Sequence, residues 1–167
     1  MSALPAEFDQ WSRPFGVLRV SLTARCNLAC PYCCPDQKDP PGLLNLDQHL
    51  RLIRVASGLG IQTLRLTGGE PLLSDRLLPL LEALAACRAD AADPLSRLRD
   101  VALTTNGVLL TPEKALALRA AGLDRITVSL DALEGAVVAK MAGLRGGQGA
   151  GDRFYGDGRS RQVQRCR

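Results

Sequence analysis

Four short segments of alternating apolar and polar residues, each followed by a stretch with helical spacing or a turn, constrain the fold more than any other feature of the chain. They are residues 18–23 (LRVSLT), 63–67 (TLRLT), 101–106 (VALTTN) and 126–130 (ITVSL). Asn45 to Gln48 reads as a box-like cap opening a first helix, which Gly58 and Gly60 close. A second helix is expected from Ser74, with Leu77, Leu78, Leu81 and Leu84 on one face, and Asp93-Pro94 separates it from the third strand. Thr111-Pro112 is a cap with proline at the first helical position, and Gly122 is a stop. Strand and helix alternating with short links predict an α/β fold of about four βα units, its parallel sheet open or curled toward a barrel.

A parallel strand buried on both faces is expected to be almost wholly apolar, whereas these strands keep one polar side. Period-two counting groups Arg19, Ser21 and Thr23, then Arg65 and Thr67, then Thr104 and Asn106, then Thr127, Ser129 and Asp131. With helices over the apolar side, the polar side is expected to line an interior able to hold a large polar ligand. A solvated antiparallel face is the alternative reading.

The length of 167 residues, with 46% hydrophobic and 23% charged side chains, bounds the chain at one domain or part of one and excludes a disordered or collagenous class. The longest apolar stretch, residues 77–87, is interrupted by Glu82 and falls short of the roughly eighteen residues of a spanning helix. The first ten residues show neither the basic start nor the apolar core of a secretory signal, so a cytoplasmic location away from membranes is expected. The net charge of +4 is confined to residues 143–167, which hold six Arg against two Asp. A neutral body argues against a nucleic-acid partner, with an RGG-like RNA-binding tail as the minor alternative.

Four of the six cysteines, at 26, 30, 33 and 34, fall within nine residues. A disulfide framework would spread them, so the cluster reads as reduced thiols for metal or redox chemistry. Cys26, Cys30 and Cys33 form CxxxCxxC on the loop leaving the first strand. A structural zinc usually takes four ligands, whereas three thiolates can hold a cubane iron–sulfur cluster with one iron open to a substrate. Structural zinc and incidental thiols remain alternatives, and Cys34 reads as a small side chain beside the site. Residues 67–71 (TGGEP) end the second strand, and their paired glycines allow close approach of a ligand to the backbone. Residues 105–107 (TNG) and 129–131 (SLD) end the third and fourth strands. In parallel α/β folds this carboxyl rim is where ligands bind.

Over roughly residues 14–141 the sequence resembles the radical S-adenosylmethionine (SAM) enzymes, whose motifs are CxxxCxxC and the GGE turn. Residues 18–23, 33–36 (CCPD), 65–71 (RLTGGEP), 104–107 (TTNG) and 128–132 (VSLDA) look like the MoaA-type GTP 3′,8-cyclases, lyases that open molybdenum-cofactor synthesis. The resemblance implies a partial parallel β/α barrel of the radical-SAM type. It implies that Cys26, Cys30 and Cys33 hold a [4Fe-4S] cluster whose open iron chelates SAM, with Tyr32, Gly69 and Ser129 contacting that cofactor. Reductive cleavage of the cofactor would give a 5′-deoxyadenosyl radical, which takes hydrogen from the ribose of GTP before the sugar joins the base. Arg19, Arg65 and Thr104 would hold the nucleotide, and the period-two grouping independently puts all three on the polar face. No catalytic side chain is implied beyond the cluster ligands. A reductant protein as electron donor and a homodimer are implied as partners.

Other side chains carry no assigned role. His49 is expected at a surface or boundary position, Cys87 as a small buried hydrophobe, and Trp11 and Phe15 over the open end of the barrel. Residues 1–142 are expected to be the N-terminal part of a radical-SAM core domain, and residues 143–167 a disordered or out-of-frame Gly/Arg-rich tail. The further strands and the second cluster of the family would then be missing. The alternatives are a peptide-modifying maturase of the same superfamily, a noncatalytic fragment, and a structural zinc module.

Overall fold

The computed structural model describes residues 10–12, 15–33 and 38–143. Four strands, β1 (Val17–Ser21), β2 (Thr63–Thr67), β3 (Asp100–Thr105) and β4 (Arg125–Val128), pair in the order β1-β2-β3-β4, and every pairing is parallel. Helices α1 (Leu46–Gly58), α2 (Leu77–Ala89) and α3 (Pro112–Ala120) lie between successive strands, and α4 (Gly135–Met141) follows β4. The α/β alternation of four units expected from the sequence is therefore present, as an open sheet with β1 and β4 at its edges among the described residues. The chain divides into two units, residues 1–27 with 35–129 and residues 28–34 with 130–167. All four strands and α1 to α3 belong to the first, and α4 to the second.

The apolar face of the sheet carries the core. Val20, Leu64, Leu66, Val101 and Leu103 are buried, and Ile53 of α1, Leu80, Leu81 and Leu84 of α2 and Leu118 of α3 pack into the same cluster. Removing such apolar area from water stabilises the sheet by about 25 cal/mol per Å² and fixes which face the helices cover. The opposite face is held in register, with Arg19 beside Arg65, Arg65 beside Ala102, and Ala102 beside Arg125. Arg19, Ser21 and Thr127 on the edge strands are exposed, while Arg65, Thr67 and Thr104 on the central strands are half-buried.

The helix starts follow the caps, with one instructive exception. Asn45 accepts from the Gln48 N–H at 2.9 Å while the Gln48 side chain accepts from the Asn45 N–H at 2.8 Å, a reciprocal capping box. Thr111 caps α3 by accepting from Lys114 N–H, with Pro112 at the first helical position. Gly122 follows α3 at φ +99°, a left-handed stop that a side chain would strain. The second helix, expected from Ser74, begins at Leu77, after a 3-10 turn over Pro71–Leu73. The reason is Pro79. In a helix begun at Ser74 it would lose an interior N–H bond and clash with the preceding turn, whereas three residues into α2 its missing donor costs nothing. The buried face is consequently Leu77, Leu80, Leu81 and Leu84, and Leu78, expected there, is 41% exposed.

His49 is buried rather than at a surface or boundary, its Nδ1 lying 2.9 Å from the Asn45 carbonyl within the cap of α1. Cys87 is half-buried and touches a charged group: its Sγ lies 3.6 Å from Nη2 of Arg54, which also pairs with Asp93 at 2.9 Å. Trp11 and Phe15 are exposed. Among the described residues no helix is long and apolar enough to cross a membrane. The Gly/Arg-rich tail from residue 144, Cys34, Asp36 and Cys166 lie outside the described residues.

Candidate functional site

In the first unit, the loops leaving β1, β2 and β3 are stitched together at the carboxyl ends of the strands. Leu22 N–H donates to Thr67 O at 2.9 Å, Gly69 N–H to Thr23 O at 2.8 Å, and Glu70 N–H to Arg25 O at 2.8 Å. The close approach needs glycine at position 69, where a Cβ would stand 2.3 Å from Arg25 O and 2.6 Å from Ala24 O. Glu70 is fully buried, and its carboxylate accepts three hydrogen bonds: from Leu72 N–H at 3.0 Å, Thr105 Oγ1 at 2.7 Å and Asn106 N–H at 2.8 Å. These bonds answer the cost of burying a carboxylate and tie the GGE turn to the TNG turn.

Asn106 reaches back toward the cysteine loop. Its Oδ1 accepts from Val108 N–H at 3.0 Å, so its Nδ2 faces the other way, donating to Asn27 Oδ1 at 2.9 Å and lying 3.9 Å from Cys26 Sγ. The base of the loop is closed by Asp39, which accepts from Thr23 Oγ1 at 2.6 Å and Ala24 N–H at 2.7 Å and pairs with Arg25 at 3.1 Å. The Thr23 hydroxyl is the main cause holding the Asp39 carboxyl below its usual range, helped by the Ala24 amide and the Arg25 guanidinium against partial desolvation.

The polar sheet face carries the cations. Arg19 and Arg65 stand side by side in register, and neither has a hydrogen-bond or ion-pair partner among the described residues. The Nε of Arg65 is buried without an acceptor among the described residues. Thr104 shares this face, half-buried and two residues beyond the Ala102 that aligns with Arg65. Arg125 completes the row across Ala102 but is paired with Asp100 at 2.6 Å. Ser129 is exposed, its N–H donating to Thr105 O at 2.9 Å.

The second unit holds the rest of the cysteine motif. Cys33 N–H donates to Cys30 O at 3.0 Å, a tight turn that includes Tyr32. The Tyr32 hydroxyl donates to the Asp131 carboxylate, and that bond is the main cause raising the phenol above its ordinary range, with desolvation and Cys30 adding to it. Ala29 N–H donates to Ala142 O at 3.0 Å, joining this turn to the end of α4.

Cys26, Cys30 and Cys33 form no disulfide, Cys26 and Cys30 being half-buried and Cys33 exposed. Among the described residues, no three His, Cys, Asp or Glu side chains stand preassembled as metal ligands. The chemistry of the donor set nevertheless fits an iron–sulfur cluster: three soft thiol ligands spaced CxxxCxxC on a short segment.

Three contributors were not visible in the sequence: Asp39, the carboxylate role of Glu70 and the direction of the Asn106 amide. The one local signal is the Asp39-Pro40 pair, a dipeptide that favours turns, and nothing near it in the sequence names Thr23 as its partner. Arg125 escaped because it precedes the apolar alternation, and only the strand register puts it in the arginine row.

A parallel βα sheet with a three-cysteine loop after its first strand and a GGE turn with a buried glutamate after its second defines a class, and the comparisons name it. The model of the Radical SAM superfamily matches residues 20–148, and the chain belongs to that superfamily. Within it, the chain is 81% identical over 154 residues to the GTP 3′,8-cyclase of Synechococcus sp. (strain WH7803), covering 92% of this chain and 44% of the relative. It is 67% identical over 156 residues to the GTP 3′,8-cyclase of Synechococcus sp. (strain CC9605), covering 93% of this chain and 44% of that protein. The chain thus spans less than half the length of these curated relatives. Among solved structures, Streptococcus suis SuiB bound to S-adenosylmethionine superposes with a TM-score of 0.61 at 22% identity, covering 82% of this chain and 29% of SuiB, a likeness of fold.

Proposed function

We propose that the chain is the N-terminal part of a GTP 3′,8-cyclase, with residues 1–142 contributing to its radical-SAM core and residues 143–167 lying outside that core. In this reading Cys26, Cys30 and Cys33 hold a [4Fe-4S] cluster, and Tyr32, Gly69 and Ser129 contact SAM. The cluster and SAM, when bound, supply the one-electron chemistry that starts the cyclisation of GTP. The chain's own part is to bind and orient. Arg19, Arg65 and Thr104 hold the nucleotide from the polar sheet face, and Glu70 ties the GGE turn to the TNG turn. A reductant protein, a homodimer and a cytoplasmic location complete the proposal.

The observation that carries the nucleotide assignment is the pair Arg19 and Arg65, adjacent in register and without a carboxylate among the described residues, with Arg65 Nε buried and lacking an acceptor. A buried N–H left without an acceptor costs about 1–3 kcal/mol, which a polyanionic ligand would return. The test is anaerobic. The chain is reconstituted with iron and sulfide, given SAM, a reductant and GTP, and assayed by mass spectrometry for 5′-deoxyadenosine and 3′,8-cyclised GTP. Both products would mean this part of the barrel suffices. Deoxyadenosine alone would support the radical site and assign nucleotide conversion to the remainder of the longer protein. Zinc retained without iron or sulfide would refute the proposal in favour of a structural metal module.

A further inference from the structure

The TNG turn contains a group that the proposed binding roles leave unused. We propose that Asn106 tunes the cluster through its side-chain amide, donating to the sulfur of Cys26, and that Glu70 is the positioning residue that aims it; this rests on the cluster assignment made above. Three observations support the inference. First, the amide orientation is fixed by its own surroundings: Oδ1 is occupied by Val108 N–H at 3.0 Å, which leaves Nδ2 for Asn27 Oδ1 at 2.9 Å and Cys26 Sγ at 3.9 Å. Both amide hydrogens thus have acceptors, one of them a thiol. Second, the main chain of Asn106 is held by a fully buried carboxylate, Glu70, at 2.8 Å, and the same carboxylate holds the preceding Thr105 hydroxyl at 2.7 Å. Thr105 Oγ1 in turn accepts from Gly107 N–H at 3.1 Å, so the residues on either side of Asn106 are fixed as well. Third, the contact is rooted in the strand ends, because Glu70 N–H also donates to Arg25 O, the carbonyl next to Cys26.

The chemical consequence follows from charge. A cluster gains one negative charge on reduction, part of it on the liganding sulfurs, and an N–H donor to one of them favours the reduced form. Asn106 therefore raises the midpoint potential, making the cluster easier to reduce, and Glu70 keeps the donor in place.

The experiment is a redox titration of the full 167-residue chain, reconstituted anaerobically and followed by the paramagnetic signal of the reduced cluster. Wild type is compared with Asn106→Asp and Asn106→Ala, with iron, sulfide and thermal midpoint measured on each. The aspartate keeps an oxygen for Val108 N–H but presents an anion to Cys26, whereas alanine only removes the donor. The expected result is a lower potential in both, larger for aspartate. At a fixed poise the reduced-to-oxidised ratio falls by about tenfold for Asn106→Asp, equivalent to about 59 mV for a one-electron couple. Glu70→Gln is expected to shift the potential in the same direction by less. Equal midpoints in wild type, Asn106→Asp and Asn106→Ala, at matched iron content, would overturn the tuning role while leaving the cluster assignment intact. A wild-type chain that takes up no iron and sulfide would overturn both, so the two failures are distinguishable.

Discussion

Replacing Gly69 by alanine is the sharpest test of how the strand ends are joined. The new methyl carbon would lie 2.3 Å from Arg25 O and 2.6 Å from Ala24 O, both backbone atoms that cannot swing aside. Relief to even 3.0 Å requires the two loops to part by roughly 0.7 Å, which carries bonds now at 2.8 Å to the edge of useful hydrogen-bond length. Two bonds are at stake, Gly69 N–H to Thr23 O and Glu70 N–H to Arg25 O. Losing them costs about 2 kcal/mol, and the residual overpacking adds about 1–3 kcal/mol, giving a destabilisation of about 3–5 kcal/mol. The measurement is urea unfolding followed by far-ultraviolet circular dichroism, with the denaturant slope compared between variants. Gly58→Ala is the matched control. It ends α1, its added Cβ would meet nothing within 4 Å, and it should stabilise by about 0.5–1 kcal/mol. A Gly69→Ala chain within about 1 kcal/mol of wild type at an unchanged slope would refute the reasoning, because no rearrangement of two backbone loops is that cheap.

Two other outcomes are expected. Asp93, held below the usual carboxyl range chiefly by its hydrogen bond to Arg54, and Asp39, held down chiefly by the Thr23 hydroxyl, have lower pKa values folded than the ordinary 3.8. The stability they contribute is full above pH 3.8 and is lost as pH falls below it through their folded values; equilibrium unfolding of Asp93→Asn against pH should show a shallower acid limb, and an unchanged limb would contradict this. Under the proposed nucleotide assignment, Arg65→Met weakens GTP binding by tenfold or more, on the order of 1.4 kcal/mol, while leaving stability unchanged or raising it by up to about 1 kcal/mol. Calorimetric titration with GTP and thermal unfolding read the two effects separately, and a large loss of stability would mean Arg65 serves the fold instead.

What was legible in the sequence is what is decided locally. Asn45 with Gln48 and Thr111 with Pro112 mark helix starts because a cap is satisfied within four residues, and both are present as read. The alternation of Leu64, Arg65 and Leu66 likewise shows which side chain faces the core before any partner strand is known. The leucine spacing alone predicts α2 from Ser74, whereas Pro79 moves its start to Leu77. Strand register was out of reach, so the alignment of Arg125 with the other arginines became visible only in three dimensions. The same holds for Glu70 and Asn106. The sequence marks a GGE turn and a TNG turn, but a carboxylate from one holding the backbone of the other spans 36 positions. No short-range rule carries that distance.

The strand order has a consequence for how the chain is made. Because β1, β2, β3 and β4 pair in the order in which they occur, each strand after β1 has a partner that has already been synthesised when it leaves the ribosome. At about 5–20 residues per second, the 25 residues from the start of β3 to the start of β4 take about 1–5 s to emerge. Helix formation and closure of a short loop take well under a millisecond, so each βα unit has ample time to settle against the growing edge before the next appears. With local folding this much faster than synthesis, slowing or speeding the ribosome should leave the pairing order untouched.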